Sequence, residues 1–258
     1  MHLLGRDRFR AKDFEITDLP LEIPGLDLAF EGYRIIQITD LHVGHWLSPE
    51  RLAGVVDLIN QQTPDLVVIT GDFVSYVLQG VVDEMIASFR RLQPKEATLA
   101  ILGNHDHWMG AENLRQIFAQ CGIIELANAV YTLRRGEARL YIAGLDDITV
   151  GAHDLEGLLA QLPVDAPAIL LAHEPDYADV SAQTGRFALQ LSGHSHGGQI
   201  VLPKIGAAIR GPGFFKYPKG LYQVGAMQLY TNRGIGTHVF RLRYNCPPEI
   251  ALITLKRS

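Results

Sequence analysis

The residues with the greatest chemical capacity stand in five short groups: Asp40 with His42, Asp72, Asn104 with His105 and Asp106, His173, and His194 with His196. Carboxylate, imidazole and amide donors without thiolate suit transition metals such as Mn, Fe or Zn, and there are more of them than one four-coordinate ion needs. Two ions sharing a carboxylate is the arrangement this donor set favours. Taken singly, an Asp or His after a strand is more often a turn or capping residue than a ligand. Spacing counts against that reading, because Asp-x-His and His-x-His at a strand end can each turn both side chains to one rim, where an ion is shared.

The elements that must position these groups are legible as apolar runs. Tyr33–Thr39 stops at Asp40, Leu66–Ile69 at Gly71-Asp72, Leu99–Leu102 at Gly103-Asn104, Ala168–Ala172 at His173, and Phe187–Leu191 before Gly193-His194. Such runs predict strands covered on both faces, and in open α/β sheets ligands collect beyond the carboxyl ends. Ser48-Pro49 opens a helix with Leu52, Val55, Val56 and Ile59 on one face, and Val81–Leu92, Ala111–Gly122 and Asp154–Leu162 predict further helices. Ile123–Leu126, Tyr131–Leu133 and Arg139–Ala143 read as short strands of a second sheet, and Leu221–Val224, Gln228–Thr231 and Ile250–Leu255 continue the β pattern. Residues 1–32 form a leading arm with room for an edge strand, residues 33–258 a single domain, and the whole predicts an α/β sandwich of two sheets.

Composition bounds the function. With 258 residues and 47% of them hydrophobic the chain can bury a sizeable core, and a net charge of −5 argues against a protein devoted to wrapping nucleic acid. Cys121 and Cys246 are too few for a disulfide framework and read as ordinary thiols. Arg6, Arg8, Arg10 and Lys12 open the chain without the apolar run of a signal peptide, and no span approaches the roughly 18 apolar residues of a membrane helix, so a cytoplasmic location is expected.

The charge is polarised. Val180–Pro248 holds no Asp or Glu but carries Arg186, Lys204, Arg210, Lys216, Lys219, Arg233, Arg241 and Arg243. One reading is a solvated basic face; the other is a source of phosphate-binding side chains, with Arg210 and Arg233 first because glycines flank them. Gly211–Pro218 joins aromatic and basic character in one loop able to rest on an anionic membrane surface. His45, His107 and His153 fit no motif and read as bystanders, while Trp46, Trp108 and Met109 read as packing residues in preference to cleft walls.

Asp40-x-His42, Gly71-Asp72, Gly103-Asn104-His105-Asp106, His173 and Gly193-His194-Ser195-His196, in that order, resemble the complete signature of the calcineurin-like metallophosphoesterases. The Gly193–Gln199 run, Arg233-Gly234-Ile235-Gly236 and Asn245–Ile250 are similar more narrowly to the bacterial YaeI/YkuE-like group. The resemblance implies a four-layer αββα sandwich, two mixed β-sheets flanked by helices, and two divalent or transition metal ions. Asp40, His42 and His196 would bind one ion, Asn104, His173 and His194 the other, with Asp72 between them. His105 would contact phosphate and protonate the leaving oxygen, and Asp106 would orient His105. Gly103 is expected where the backbone turns sharply.

The activity implied is hydrolysis of a phosphodiester or pyrophosphate by a metal-activated water. The substrate would be a phosphorylated small molecule or a lipid-linked one; relatives of the group include an enzyme that cleaves the pyrophosphate of UDP-2,3-diacylglucosamine in lipid A synthesis. Two alternatives stand beside this, a phosphodiesterase of soluble nucleotides or nucleic acid and a non-catalytic scaffold of the same fold. The intact ligand set speaks against the scaffold.

Overall fold

The computed structural model describes residues 8–75, 80–207, 211–238 and 240–258. In chain order the elements are β1 (Glu15–Ile23), β2 (Arg34–Ile38), α1 (Pro49–Gln61), β3 (Leu66–Thr70), α2 (Val82–Phe89), β4 (Ala97–Ile101), α3 (Asn104–Trp108), α4 (Ala111–Cys121) and β5 (Ile123–Glu125). There follow β6 (Ala129–Arg135), β7 (Ala138–Gly144), α5 (Leu155–Gln161), β8 (Ala168–Leu171), α6 (Ala178–Ser181) and β9 (Leu189–Ser192). The last part is β-rich: β10 (Val201–Leu202), β11 (Gly206–Ala207), β12 (Gly220–Val224), β13 (Met227–Thr231) and β14 (Glu249–Arg257).

Six strands make one sheet in the order β1-β14-β2-β3-β4-β5, and six make a second in the order β12-β13-β9-β8-β7-β6. β2 to β5 are parallel, as are β7, β8, β9 and β13, whereas β14 runs antiparallel to β2 and the edge strands β6 and β12 antiparallel to their neighbours. Glu15–Ile23 pairs in parallel with β14 along its whole length.

Period-2 alternation sorts the side chains into three cores. Ile36, Ile38, Val67 and Ile69 face α1, α2 and α4, whose Leu52, Val55, Met85, Phe89, Leu114 and Phe118 cover them. Ile35, Val68, Leu99 and Ile101 point the other way, into a layer shared with Leu140, Ile142, Ile169, Leu171, Leu189 and Leu191 of the second sheet. Beyond that sheet Tyr141, Leu170 and Leu229 pack on Leu158 of α5 and Ala178 of α6. The result is helices, sheet, sheet, helices, an αββα sandwich of two mixed sheets. Each fully buried Leu, Ile or Val contributes about 1.5–3 kcal/mol, so the central layer is what holds the two sheets face to face.

One strand lies elsewhere than its sequence suggests. Ile123–Glu125 extends the first sheet, with Ile123 opposite Thr98 of β4, because α4 returns the chain parallel to the strand it has just left. A three-residue strand after a helix carries no mark of which sheet it will join.

Candidate metal centre

Asp40, Asp72 and Asn104 follow β2, β3 and β4 of one sheet, and His173 and His194 follow β8 and β9 of the other, so all five groups meet at the carboxyl ends of parallel strands. Hydrogen bonds stitch the two sheets together there. Gln37, held within its own sheet by Thr70 Oγ1 (3.1 Å), donates to the Ser192 carbonyl of the other sheet (3.0 Å), and His194 N donates to Asp40 Oδ2 (3.0 Å).

The strand ends reverse through left-handed backbone. Asp40, His42, Asp72, His194 and His196 have φ of 49°, 46°, 55°, 65° and 49°, a region that non-glycine residues enter at a cost of about 1–3 kcal/mol each. Asp40 N donates to the Gly71 carbonyl (2.9 Å) and His42 N to the Asp72 carbonyl (3.0 Å), so the neighbouring loop holds these strained positions. The reversal is what brings both side chains of Asp-x-His and of His-x-His to one rim.

Two clusters result. Donor atoms of Asp40, His42 and His196 lie within 4.8 Å of one another, and so do those of Asp72, His173 and His194. His42 Nε2 and His196 Nε2 are 3.0 Å apart, two ring nitrogens converging on one point. Asp72 stands between the clusters, its Oδ2 3.5 Å from His42 Nε2 and 3.4 Å from His173 Nε2. Asp40 Oδ1, Asn104 Oδ1 and His173 Nε2 are buried with no hydrogen-bond partner among the described residues. Buried polar atoms ordinarily have partners, so this set fits a pair of cations that would supply them.

Second contacts aim the rings. His173 Nδ1 is 2.7 Å from the Thr70 carbonyl, which leaves Nε2 facing Asp72, and His194 Nε2 is 3.1 Å from the Pro212 carbonyl, which leaves Nδ1 for the cluster. Burial pushes the His42 imidazole down to about 3, and burial with His173 nearby pushes His194 down to about 4; neutral imidazole is the form that binds metal. Although burial opposes it, His173 holds Asp72 well below the usual carboxylate range, and Asp72 in turn holds His173 well above its own. Burial lifts the Asp40 carboxyl to about 7.

Glycines make room. A Cβ on Gly103 would lie 2.8 Å from the Asp72 backbone nitrogen and from His173 Nε2, and one on Gly234 would lie 2.8 Å from Asp40 Cβ. Gly103 has φ −111° and ψ 178°, extended backbone open to any residue, so its place is explained by missing bulk and not by a sharp turn.

His105 sits on α3 with its ring edge-on to His42 at 4.9 Å, its backbone nitrogen donating to Asp72 Oδ1 (3.0 Å) and its Nδ1 3.3 Å from the Ser75 carbonyl. Asp106 does a different job from the one expected. Its Oδ1 accepts from Phe73 N (2.8 Å) and Val74 N (3.3 Å) and its Oδ2 from Gly103 N (3.0 Å), so it shapes the two loops while the Ser75 carbonyl takes the place on the His105 ring.

Arg233 is likewise committed elsewhere. Its guanidinium pairs with Glu249 (3.0 Å) and Glu15 (3.2 Å), and it is not among the side chains lining the cleft. Arg210 lies outside the described residues. Two members of the acid-free run pair with acids outside it, Arg233 with Glu249 and Glu15 and Lys216 with Asp179, while the fully buried Arg243 donates to the carbonyls of Gly236 (2.7 Å) and Arg233 (2.8 Å) behind His196. Cys246 is buried against the His196 carbonyl at 3.3 Å.

Three bystanders acquire places. His107 pairs with Asp146 at 2.7 Å and ties α3 to the loop after β7; His45 Nδ1 meets Thr237 at 3.0 Å; His153 stacks edge-on against Tyr177. Trp46 packs on Phe14 and Arg51 as expected of a packing residue. Trp108 departs from that expectation, since it is 58% exposed and lines the cleft beside His105. His238 was not picked out by sequence reasoning, standing alone in a β-rich stretch, yet it lines the same cleft.

A sandwich of this kind with two carboxylate–imidazole clusters at its strand ends defines a metal-dependent hydrolase of phosphoesters. The chain belongs to the calcineurin-like phosphoesterase family, whose model matches residues 33–198. It is 36% identical over 250 residues to the uncharacterized metallophosphoesterase YkuE of Bacillus subtilis, covering 95% of this chain and 86% of that one. It is 27% identical to phosphodiesterase YaeI of Escherichia coli, covering 86% of this chain and 82% of the other, which places it in the YaeI/YkuE-like group. Among solved structures, the NAD nucleotidase of Haemophilus influenzae shares the fold, with a TM-score of 0.52 at 15% identity over 78% of this chain and 50% of that one.

Proposed function

We propose that this metal-dependent phosphoesterase hydrolyses a phosphodiester or pyrophosphate bond whose flanking group is apolar, as in a lipid-linked substrate such as UDP-2,3-diacylglucosamine. The observation that carries this is the cleft over the centre. It encloses 360 Å³ and is lined by Asp72, Asn104, His105, His194 and His196 together with Trp108, Pro212 and Phe214, the Trp108 ring lying edge-on to His105 and the Phe214 ring edge-on to His194. A phosphate seated on the imidazoles and Asn104 would bring its substituent against the adjoining rings of Trp108 and Phe214.

Asp40, His42 and His196 would hold one cation, Asn104, His173 and His194 the second, and Asp72 would reach both. Bound there, two Mn, Fe or Zn ions supply an activated water and positive charge against the phosphoryl oxygens. The chain's own residues do the rest. With its Nδ1 proton on the Ser75 carbonyl, His105 would carry the transferable proton on Nε2 and give it to the leaving oxygen. Trp108, Pro212 and Phe214 exclude water from the flank, which strengthens each polar contact inside.

A second observation favours contact with an anionic membrane. Trp108 at the end of α3 and Phe215 and Phe240 on loops are 58%, 64% and 56% exposed where they form or adjoin the cleft. Ile205, 73% exposed, tips the β10–β11 hairpin beside Lys204. Apolar tips among basic residues suit peripheral binding at the inner face of a membrane. No helix among the described residues is long and apolar enough to cross one.

The test compares turnover of UDP-2,3-diacylglucosamine, a phospholipid, a cyclic nucleotide and bis-p-nitrophenyl phosphate by protein loaded with Mn, Fe, Zn or Mg. Preference for the acylated substrates over the soluble diesters supports the proposal; equal turnover of cyclic nucleotides favours the soluble-nucleotide alternative, in which Trp108 stacks a base. Vesicles containing anionic lipid should retain the protein at low salt and release it at high salt.

A further inference from the structure

We propose that His238 is a second substrate-contacting imidazole of this centre, donating a hydrogen bond to a phosphoryl oxygen beside His105, and that Gln199 positions it. The inference rests on the phosphoesterase reading of the centre and concerns a residue outside its metal-ligand set.

His238 lines the cleft together with Asp72, Asn104, His105, His194 and His196. Its ring lies nearly parallel to His42, at 5.6 Å and 15°, and to His196, at 6.0 Å and 25°, and edge-on to His105 at 4.7 Å and 77°. A ring stacked alongside two ligand rings presents its edge to the same space as theirs without entering either donor cluster, and neither cluster includes it. That space is where a phosphate must sit to reach both clusters. An imidazole N–H at the rim is then within reach of an oxygen that the cations and His105 do not cover.

The backbone around it is gripped from two sides. His238 N donates to Gln199 Oε1 (2.7 Å), and Gln199 Nε2 donates to the Phe240 carbonyl (2.8 Å) and the Leu242 carbonyl (3.0 Å). Gln199 is itself buried, its backbone held at φ 50° three residues after His196, so one buried side chain ties the His238 loop to the Gly193–Gln199 turn. On the far side His45 Nδ1 meets Thr237. This fixation would let the His238 ring meet a phosphate to within a fraction of an ångström.

The experiment uses the Mn-loaded full chain with inorganic phosphate as the binding probe and bis-p-nitrophenyl phosphate as the kinetic one. His238→Ala should keep two ions per chain, weaken phosphate binding and lower kcat/KM by about 10- to 100-fold, the loss expected for a hydrogen bond to a charged group. His238→Asn, which keeps an N–H donor, should recover part of both. Gln199→Ala should lower both as well, and its effect should not add to that of His238→Ala, because both act through one contact. Unchanged phosphate affinity and kcat/KM in His238→Ala would overturn the proposal. So would loss of an ion from His238→Asn, which would make the residue a ligand, and so would additive losses in the double variant. If the wild-type chain binds phosphate but turns over no diester, the substrate reading falls while the phosphate titration still decides the role of His238.

Discussion

Gly103→Ala isolates the steric demand of the metal centre. At φ −111° and ψ 178° alanine fits the backbone as well as glycine, so conformational strain drops out. What remains is the new methyl, 2.8 Å from the Asp72 backbone nitrogen and from His173 Nε2 and nearer still to Asp72 Oδ1. Ordinary carbon contacts are about 3.5–4.0 Å, so something must move by most of an ångström, and the Asp72 backbone is pinned through its carbonyl to His42 N. Overpacking of this kind costs about 1–3 kcal/mol, which in a chain of this size lowers Tm by about 2–12 °C. The displacement falls on the one carboxylate between the two clusters, where an ångström is worth about 100-fold in rate. The expected outcome is a folded protein with a modestly lowered Tm, less than two ions per chain and at least a 100-fold loss in kcat/KM. Thermal melts, metal analysis and diester kinetics on one preparation read all three. Full metal content with activity within threefold of wild type would refute the placement of Asp72.

The remaining predictions use other parts of the structure. Asp72→Ala should remove metal and activity together, whereas His105→Ala should keep both ions and lose about 10²–10⁴ in turnover; metal loss from the latter would make His105 a ligand. Arg233→Ala should destabilise by about 3 kcal/mol by leaving the buried Glu249 carboxylate without its cation, though still hydrogen-bonded by Thr17 and Tyr230, with KM unchanged; a raised KM in the folded variant would restore its phosphate role. Against the opposing effect of burial, Arg233 holds Glu249 below its usual 4.5, so that stabilisation is complete above about 4.5 and lost as pH falls through the lowered value. Acid titration of stability should therefore lose amplitude in Arg233→Ala, and an unaltered profile would count against the pair. Chelation should lower Tm reversibly, by the equivalent of about 4 kcal/mol when metal had been present at a thousandfold over Kd, and an unmoved Tm would mean that the clusters hold no ion.

The site was more legible than the chemistry of its neighbours. Asp-x-His and His-x-His announce themselves because ligation needs particular donors at particular spacings, and a buried strand that stops at such a pair leaves few other readings. Asp106 misled for a physical reason: it stands beside His105 in sequence, yet α3 turns the two side chains apart, one to the cleft and one to the amides of Gly103, Phe73 and Val74. Arg233 misled because local sequence shows flanking glycines and not Glu249 and Glu15, which arrive from the two neighbouring strands β14 and β1. His238 was silent because a lone histidine has no spacing to read.

By itself the sequence determined which runs are strands buried on both faces, where each of them stops, and which donors stand at the stops. Those are properties of hydrophobic period and of residue chemistry, both local. Only the tertiary structure decided that Ile123–Glu125 joins the first sheet, that Trp108 walls the cleft, that Arg233 pairs with Glu249 and Glu15, and that His238 shares the space above His42 and His196. Each of these depends on contacts between segments far apart in the chain, and the free energy of such contacts is written in the packed molecule and not in any window of its sequence.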